Sequence, residues 1–388
     1  MQVIEVSDKQ TINSFHKLSY RIYKGDTNWV PPLRMMVENV LDPKKNSALQ
    51  NGHVKRWIIL KGDECVGRTG AFFTKSYSNE FEQPTGGICF FECVDDQEVA
   101  NLLFDTAKNW LSSLNIEAMD GPINIGENFF NWGLLTDGFM QQSFGMNYHP
   151  KYYKKLWETY GFKTYYEQYS YHLDITSPDL PERFWKIASW MAKKPNYRFE
   201  KFSFKNSDKY ISDFLTIHSK AWESHDNYKP IEKQELRGLI KESKSMLDED
   251  FIWFVYHDDK PVAFFMMVPD LNQLLKNFWN GRMSLIRYFK LLYFKKRRII
   301  NRCRVLVMGV VPKFQKSGIE SGIFWQIRQV LLKKHWYNEM ELSWVGDFNP
   351  KMISIFKATG AKYAKTHLTL RYLFDQEKEF KRCPIIED

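Results

Sequence analysis

The chain has 388 residues, more than a single hydrophobic core usually serves, so two domains are the first expectation. Hydrophobic residues make up 44% of it and aromatic residues 16%, which excludes disorder over most of its length. The net charge of +9 indicates an anionic partner such as a phosphorylated cofactor, a nucleic acid or a membrane surface, although a solvated basic helix would give the same excess.

No targeting or membrane-spanning segment is predicted. The N-terminus has acidic and polar residues where a signal peptide needs a basic patch and an apolar run. The most apolar region, residues 251–268, is interrupted by Asp258, Asp259 and Lys260, so it is too short to span a membrane. Five cysteines without metal or disulfide spacing favour a cytoplasmic protein with reduced thiols.

In the first half, the pattern predicts a helix around residues 15–23 and a β-hairpin over 54–73. Residues 149–173 follow with Pro-Lys opening a helix, Gly161 ending it and an alternating strand after it. The first half thus combines a hairpin, which pairs antiparallel strands, with crossover helices, and this combination implies a mixed sheet.

The second half repeats this order at an offset of about 200 residues, a period that indicates duplicated domains. The matching segments are 217–225, 251–270 and 349–373. We therefore predict an α/β (α+β) fold of two tandem domains, residues 1–178 and 179–388, each with a mixed, mostly antiparallel sheet flanked by helices. The boundary is placed at the proline-containing stretch 176–182.

An insertion, residues 271–302, separates the second hairpin from the next strand. It is amphipathic, with apolar residues such as Phe289 and Leu292 beside a cluster of lysines and arginines. Such a helix can lie on an anionic membrane, and it can also pack on its own domain. The two interpretations stay open, with packing preferred.

The loop VPKFQKSGIESGIF, residues 311–324, lies between an apolar run and a helical pattern. Backbone N–H groups at the start of a helix lack partners within the helix and attract anions. Gly318 permits close approach of a ligand, and Lys313 and Lys316 add positive charge. The loop is therefore a candidate phosphate site, with an ordinary helix N-terminus as the alternative.

Residues 310–319, VVPKFQKSGI, resemble the V-x-P-x-[YF]-[RQ]-x-x-G-[IV] signature of the GNAT family of acyl-CoA-dependent N-acyltransferases. Asn349 matches the Asn that precedes the family's last core helix. The stretches YKGDTNWVPPL, CVGRTGAFF, DGPINIGENFFNWGLLTDGF and NYHPKYYKKLWETYGF resemble bacterial proteins with tandem GNAT-like halves. The resemblance is close from about residue 205 to 373 and holds only in outline for the first half.

This resemblance implies that acetyl-CoA or another acyl-CoA binds the second half as a substrate. The family's N–H groups at the loop bind the pyrophosphate, and the preceding strand pairs with the pantetheine. The implied binding residues are Val310, Val311, Gln315, Lys316, Ser317, Gly318, Ile319, Glu320 and Ser321. Glu320 departs from the family, which usually has Gly or Ala there, and we expect its side chain to point along the helix into solvent.

The catalytic groups are less evident. The family's Tyr acid corresponds to Phe356, so that hydroxyl is missing. Glu92 and Asn349 are the candidates, although Glu92 has the pattern of an exposed strand residue; Glu223 and His225 are weaker alternatives. We expect backbone N–H groups near Val310 and Val311 to stabilise the thioester oxyanion.

The first half lacks a phosphate loop, since its strand FFECVDD leads directly into a helix capped by Asp95 or Asp96. Its stretch 121–133, GPINIGENFFNWG, is either part of an acceptor pocket or a turn-rich loop. No metal site is expected, because His218, His225 and Asp226 do not share a helix face.

The resulting prediction is an N-acyltransferase that moves an acyl group, with acetyl included, from acyl-CoA to an amine. Two alternatives remain. One is a GNAT-fold binding protein that has lost catalysis, which Glu320 and Phe356 favour. The other is a transferase that uses aminoacyl-tRNA, which the basic charge would suit.

Overall fold

The structure is a computed structural model that describes residues 1–78, 81–222, 233–244, 247–278, 281–315 and 317–386. The first half contains the helices and strands that its pattern predicts. Its strands are β1 (Gln2–Glu5), β2 (Gly52–Lys61), β3 (Glu64–Thr74), β4 (Thr85–Cys93), β5 (Ala118–Gly121), β6 (Leu134–Asp137) and β7 (Lys163–Asp174). Its helices are α1 (Lys9–Ile22), α2 (Arg34–Leu41), α3 (Lys75–Ser78), α4 (Gln97–Ser112) and α5 (Tyr153–Tyr160).

The second half follows the same plan with a longer insertion. Its strands are β8 (Tyr197–Lys201), β9 (Ile252–His257), β10 (Lys260–Pro269), β11 (Arg302–Val310), β12 (Glu339–Gly346) and β13 (Lys362–Leu373). Its helices are α6 (Glu182–Met191), α7 (Ser207–Trp222), α8 (Lys233–Ser243), α9 (Asn272–Leu275), α10 (Leu285–Lys296), α11 (Ile319–Lys333) and α12 (Pro350–Ala358).

Both predicted hairpins form. In the first, β2 and β3 pair up to Lys61 and Glu64, with Gly62 in the turn at φ +62°. In the second, β9 and β10 are joined by Asp258 and Asp259, at φ +46° and +62°. Positive φ at both turn residues suits the twist of the flanking strands, and Asp tolerates it better than most residues.

The two predicted helix-and-strand segments also form, as α5 with β7 and α12 with β13. Gly161 and Gly360, each with positive φ, follow the helices and turn the chain into the strands. A residue in this conformation is the common end of a helix.

The strands join into one sheet in the order β1-β2-β3-β4-β5-β13-β7-β12-β11-β10-β9-β8, with β6 beside β13. Each half therefore gives its last long strand to the other half, since β7 pairs with β12 and β13 pairs with β5. The proposed division at residues 176–182 falls at the end of the first exchanged strand. The two halves share a sheet across it.

The exchange extends to the cores. Tyr171 and Leu173 of β7 pack with Ile323 and Ile327 of α11 in the core of the second half. Leu368, Leu370 and Tyr372 of β13 pack in the core of the first half, and Leu103 and Trp157 lie in that same core. Each core thus depends on residues from both ends of the chain.

A buried ionic cluster lies on the opposite face of the exchanged strands. The carboxylate of Glu341 on β12 accepts hydrogen bonds from Lys365 Nζ at 2.6 Å, His172 Nε2 at 2.9 Å and Ser143 Oγ at 2.6 Å. We call these four residues the Glu341 cluster. Because Ser143 and His172 belong to the first half, the cluster joins the halves by charge-assisted hydrogen bonds.

Candidate functional site

Strands β11 and β12 separate part of the way along their length. They pair in parallel from Arg302 opposite Glu339 to Val305 opposite Leu342, and beyond that point β11 stays paired only with β10. Leu306 is an extra residue against β10, between the pairs of Val305 and Val307. A bulge of this kind bends a strand, which accounts for the wedge between β11 and β12.

The backbone of Val310 faces this wedge. The N–H of Val311 donates to the carbonyl of Val262 on β10, at 2.9 Å. Because successive peptide groups of a strand point to opposite sides, the N–H and C=O of Val310 point away from β10. The N–H of Val311 is therefore committed to the sheet, and of the predicted pair only Val310 can offer its N–H to a ligand.

The loop after β11 brings a helix N-terminus to the same end of the strand. Gly318, at φ +81°, precedes the first residue of α11, Ile319. Among the described residues, a Cβ on Gly318 would meet only Ser321 Oγ, at 3.7 Å, so this part of the loop leaves the approach open. The first N–H groups of α11 have no partner within the helix and, with its dipole, favour an anion.

The other predicted loop residues have distinct places. Ser317 Oγ donates to the Phe314 carbonyl at 2.6 Å, and Ser321 Oγ donates to the Gly318 carbonyl at 2.7 Å. Gln315 Nε2 donates to the Val310 carbonyl at 3.3 Å. The Ile319 side chain is buried in the core, so only its backbone can serve a ligand. Lys316 lies outside the described residues.

Lys351 is a loop neighbour that sequence reasoning missed. It stands in the first turn of α12, and its Nζ donates to the Gln315 carbonyl at 2.8 Å. The helix start at Pro350 was predicted, but nothing in the local pattern indicated that α12 would bring a cation to the loop. Lys351 adds positive charge where an anion would bind.

Glu320 is buried, so the expectation that it points into solvent is wrong. Only 5% of its surface is exposed, because its side chain lies in the first turn of α11 on the side that packs inward. Burial raises the pKa of its carboxyl group, and its own backbone N–H and Lys351 offset part of this effect. A carboxyl group that retains its proton more readily repels a nearby phosphate less.

Replacing Glu320 with Gln is expected to raise the melting temperature above neutral pH by a few degrees, with little change below the ordinary Glu pKa of 4.5. The folded protein binds this proton more tightly than the unfolded chain does. The wild type therefore loses stability as pH rises from 4.5 through the raised pKa. Thermal unfolding of both proteins across pH checks this, and a constant difference at all pH values would contradict it.

Asn349 has a structural task. Its Oδ1 accepts a hydrogen bond from the Met352 N–H at 3.1 Å and so caps α12. Phe356, on the same helix, packs against Tyr171 and Phe324 at centroid distances of 5.8 and 6.5 Å. Neither side chain offers an acid or a base to the wedge in this arrangement.

Glu92 is buried in the first half, so the expectation of an exposed strand residue is wrong. Its carboxylate accepts hydrogen bonds from Tyr153 OH at 2.7 Å and Tyr23 OH at 3.0 Å, and Arg68 Nη2 lies 3.4 Å away. Burial raises the pKa of this carboxyl group, while Arg68 and the hydroxyl donors oppose the shift. These three partners all belong to the first half.

The first half has a wedge of its own, and its tyrosines fill it. β4 and β5 pair in parallel only from Thr85 to Gly87 of β4. Further along β4, the N–H of Cys93 donates to Tyr153 OH at 2.8 Å, and the C=O of Cys93 accepts from Tyr152 OH at 2.7 Å. Side chains thus take the backbone groups that correspond to those of Val310.

Helix α4 then follows after a link of three residues, 94–96. Asp96, one of the two predicted caps, accepts from the Glu98 N–H at 3.0 Å. That the first half does not bind coenzyme A in the usual way stays a prediction.

The stretch 121–133 reaches across to the second half. Arg304 of β11 is buried and donates to the carbonyls of Phe144 at 2.6 Å and Phe129 at 2.5 Å. Trp344 Nε1 of β12 donates to the Asn128 carbonyl at 2.9 Å. Backbone carbonyls therefore fasten this loop over the parted strands, so that it covers one side of the wedge.

Helix α7 covers the neighbouring strands. Phe214 contacts Phe264 of β10 at a centroid distance of 4.7 Å, and His218 stacks on Phe214 at 5.4 Å. Gly309 of β11 lies against Phe264, since a Cβ there would come within 2.4 Å of that ring. His218 is half-buried, and burial lowers its pKa, which favours the neutral imidazole. Glu223, His225 and Asp226 lie outside the described residues.

In the described part of the chain, no three His, Cys, Asp or Glu side chains are grouped so that they could hold a metal ion. None of the helices in those same residues has the length and apolar character needed to cross a membrane.

Comparison with known proteins gives relatives along nearly the whole chain. It is 27% identical over 379 residues to the bacterial ceramide synthase of Caulobacter vibrioides, covering 95% of this chain and 96% of that protein. It is 24% identical over 367 residues to Protein YghO of Escherichia coli K12, covering 93% and 92%. No protein-family model matches the chain.

Solved structures match across the same extent. A tandem GNAT protein from the clavulanic acid biosynthesis pathway superposes with a TM-score of 0.58 at 9% identity, covering 96% of this chain and 98% of that one. A GCN5-related N-acetyltransferase from Sphaerobacter thermophilus superposes with a TM-score of 0.53 at 8% identity, covering 96% of each. The chain has the tandem GNAT fold that its sequence predicts.

Proposed function

We propose that the protein transfers an acyl group from an acyl-CoA to an amine, with the thioester bound in the wedge of the second half. The observation that carries the proposal is the coincidence of three features at one end of β11. The strand parts from β12, the backbone of Val310 faces the gap, and α11 begins beside it after Gly318. An extended chain that ends in a pyrophosphate fits this arrangement.

The proposed reaction is direct attack. The neutral amine nitrogen adds to the thioester carbonyl carbon, a C–N bond forms, the C–S bond breaks, and coenzyme A leaves as a thiolate. The Val310 N–H is the proposed donor to the carbonyl oxygen as negative charge develops on it. The proposed acceptor of the proton that the nitrogen loses is His218, on α7 over β10, and solvent protonates the thiolate.

Glu92 and Asn349 fit a catalytic role less well. Their hydrogen bonds support a helix cap for Asn349 and an internal network of the first half for Glu92. His218 suits the role better, because α7 lies over β10 next to the parted section of β11. It is the proposed proton acceptor.

The name of the Caulobacter relative suggests the substrates. A ceramide is the amide of a fatty acid with a long-chain amino alcohol, so a synthase of ceramide joins an acyl group to an amine. The similarity extends over 95% of this chain. We therefore propose a fatty acyl-CoA as donor and a long-chain amino alcohol as acceptor, with acetyl-CoA as the alternative donor.

The test is an assay of purified protein with palmitoyl-CoA and sphinganine, in which released thiol and the amide product are both measured. Amide formation is expected, and His218→Gln should lower kcat by roughly a hundredfold while acyl-CoA binding by calorimetry is retained. Substituting acetyl-CoA tests the donor. No binding of either thioester would refute the proposal, and full activity of His218→Gln would refute only the role of that residue.

A second candidate is a binding protein on the same fold. Phe356 supports it, because a buried phenylalanine replaces the hydroxyl that could protonate the leaving thiolate. Acyl-CoA binding without any turnover, in a screen of several long-chain amines, would favour this candidate. The aminoacyl-tRNA alternative requires tRNA binding that falls steeply with salt.

A further inference from the structure

The insertion between β10 and β11 carries apolar side chains that are exposed and that no other described residue covers. On α10, Leu285 is 79% exposed, Ile286 81% and Phe289 65%, and Tyr293 is also exposed. With 100° between successive residues, these four lie within an arc of about 100°. We call them the outer face of α10.

The opposite side of the same helix is already satisfied. Leu291 and Phe294 are partly buried and pack against the core of the second half. The helix is therefore held in place by its inner side. Exposure of the outer face does not result from a helix that has failed to dock, and packing on its own domain leaves this face in water.

The charge around the outer face has one sign. Residues 281–300 contain seven Lys or Arg and no Asp or Glu, within a chain whose net charge is +9. Lys290, Lys296 and Arg297 are exposed beside the apolar residues, at the border and at the C-terminal end of the helix. An apolar strip bordered by cations complements a surface of apolar chains beneath anionic headgroups.

The start of α2 lies beside the segment that leads into α10. The N–H of Arg34 donates to the Gly281 carbonyl at 2.9 Å, which places the start of α2 beside the segment that leads into α10. Met35, the next residue, is 59% exposed. Apolar side chains from both halves of the chain thus lie at this part of the molecule.

We propose that the outer face of α10 docks the protein on an anionic lipid membrane, with the helix lying in the plane of the headgroups. Phe289, Ile286 and Leu285 enter the acyl boundary, and the lysines and arginines contact the phosphates. The inference does not depend on the proposed reaction, since a protein without catalysis would bind the same surface.

The test is co-sedimentation of the full chain with phosphatidylcholine vesicles, with and without phosphatidylglycerol. Binding is expected only with the anionic lipid and is expected to weaken as salt rises. Ile286→Ser/Phe289→Ser and Lys290→Glu/Lys296→Glu should each weaken it by about tenfold or more. These positions are exposed, so the variants should keep the melting temperature of the wild type.

Matched controls come from other parts of the surface. Ile385→Ser/Ile386→Ser removes two exposed isoleucines from the C-terminal segment, and Lys154→Glu/Lys155→Glu reverses two exposed charges on α5. Both should bind vesicles as the wild type does. If these controls lose binding as much as the α10 variants, the contact is nonspecific and the proposal fails.

Other occupants of the face give different results. A dimer that Ile286→Ser/Phe289→Ser converts to a monomer, with no vesicle binding, would assign the face to a second copy of the chain. Retention of tRNA that Lys290→Glu/Lys296→Glu abolishes, again without vesicle binding, would assign it to nucleic acid. Either outcome overturns the membrane proposal.

Discussion

Replacing Glu341 with alanine is expected to lower the free energy of unfolding by roughly 3–5 kcal/mol, because it leaves a buried ammonium without its partner. Glu341 is fully buried, and Lys365, whose Nζ lies 2.6 Å from its carboxylate, is 1% exposed. Ser143 and His172 also lose their acceptor. Urea unfolding of both proteins measures the difference.

A second variant distinguishes the cost of an unpaired buried charge from the loss of the ion pair itself. Glu341→Met/Lys365→Met removes both charges and should be more stable than either single change, because no unpaired charge remains. As a control, Glu182→Ala breaks an exposed ion pair with Lys186 and should have no measurable effect. A double variant as unstable as the sum of its singles would contradict this account.

The Glu341 cluster also makes the stability of the fold depend on pH. Lys365 and His172 hold the pKa of the Glu341 carboxyl group well below its ordinary value of 4.5, so its stabilising effect is present above 4.5 and is lost as pH falls. Glu339 and Glu341 raise the pKa of His172 above 6.5, so its contribution is full below 6.5 and is lost as pH rises through the raised value. The free energy of unfolding should therefore be greatest between about pH 4.5 and 6.5. Glu341→Ala should reduce the fall of this free energy at acid pH.

Replacing Gly318 with tryptophan is expected to weaken coenzyme A binding by about a hundredfold or more. The indole would occupy the proposed approach of the pyrophosphate to the start of α11, which Ser321 Oγ alone borders among the described residues. Calorimetric titration with coenzyme A gives the affinity directly. The assay with palmitoyl-CoA should lose activity in parallel.

Gly25→Trp is the matched control. Gly25 also has a positive φ, +89°, and a Cβ there would meet no atom of the described residues within 4 Å. Both variants should suffer the same backbone strain of about 1–2 kcal/mol. Only Gly318→Trp should lose affinity for coenzyme A. Equal affinity in the two variants would place the ligand elsewhere.

Local pattern was sufficient for much of the fold. The hairpins, the glycine helix ends and the two helix-and-strand segments follow from periodicity and turn residues that act over a few positions. The exchange of β7 and β13 was not predictable in this way. Both strands end similar halves, and nothing within either one specifies which sheet it will join.

The same distinction between local pattern and long-range packing applies to the candidate site. The loop around Gly318 was found from its sequence, because a strand, a glycine and a helix lie close together along the chain. Glu320 was misplaced because the first turn of a helix usually exposes acidic residues. Lys365, His367 and Thr369 recur at every second position of β13, as polar residues do on the solvated face of a strand. They are buried because β13 lies in the middle of the shared sheet.

The strand exchange explains why the protein retains a half whose wedge its own tyrosines occupy. That half supplies β7, which borders β12 and completes the sheet beneath the parted strands. Deleting it would expose the edges of β12 and β13 together, so we expect that neither half is stable when it is expressed alone. During synthesis, β5 has no partner on one side until residue 373 leaves the ribosome. The chemistry of one half can therefore change in evolution while the strand that it supplies to the other half is still required.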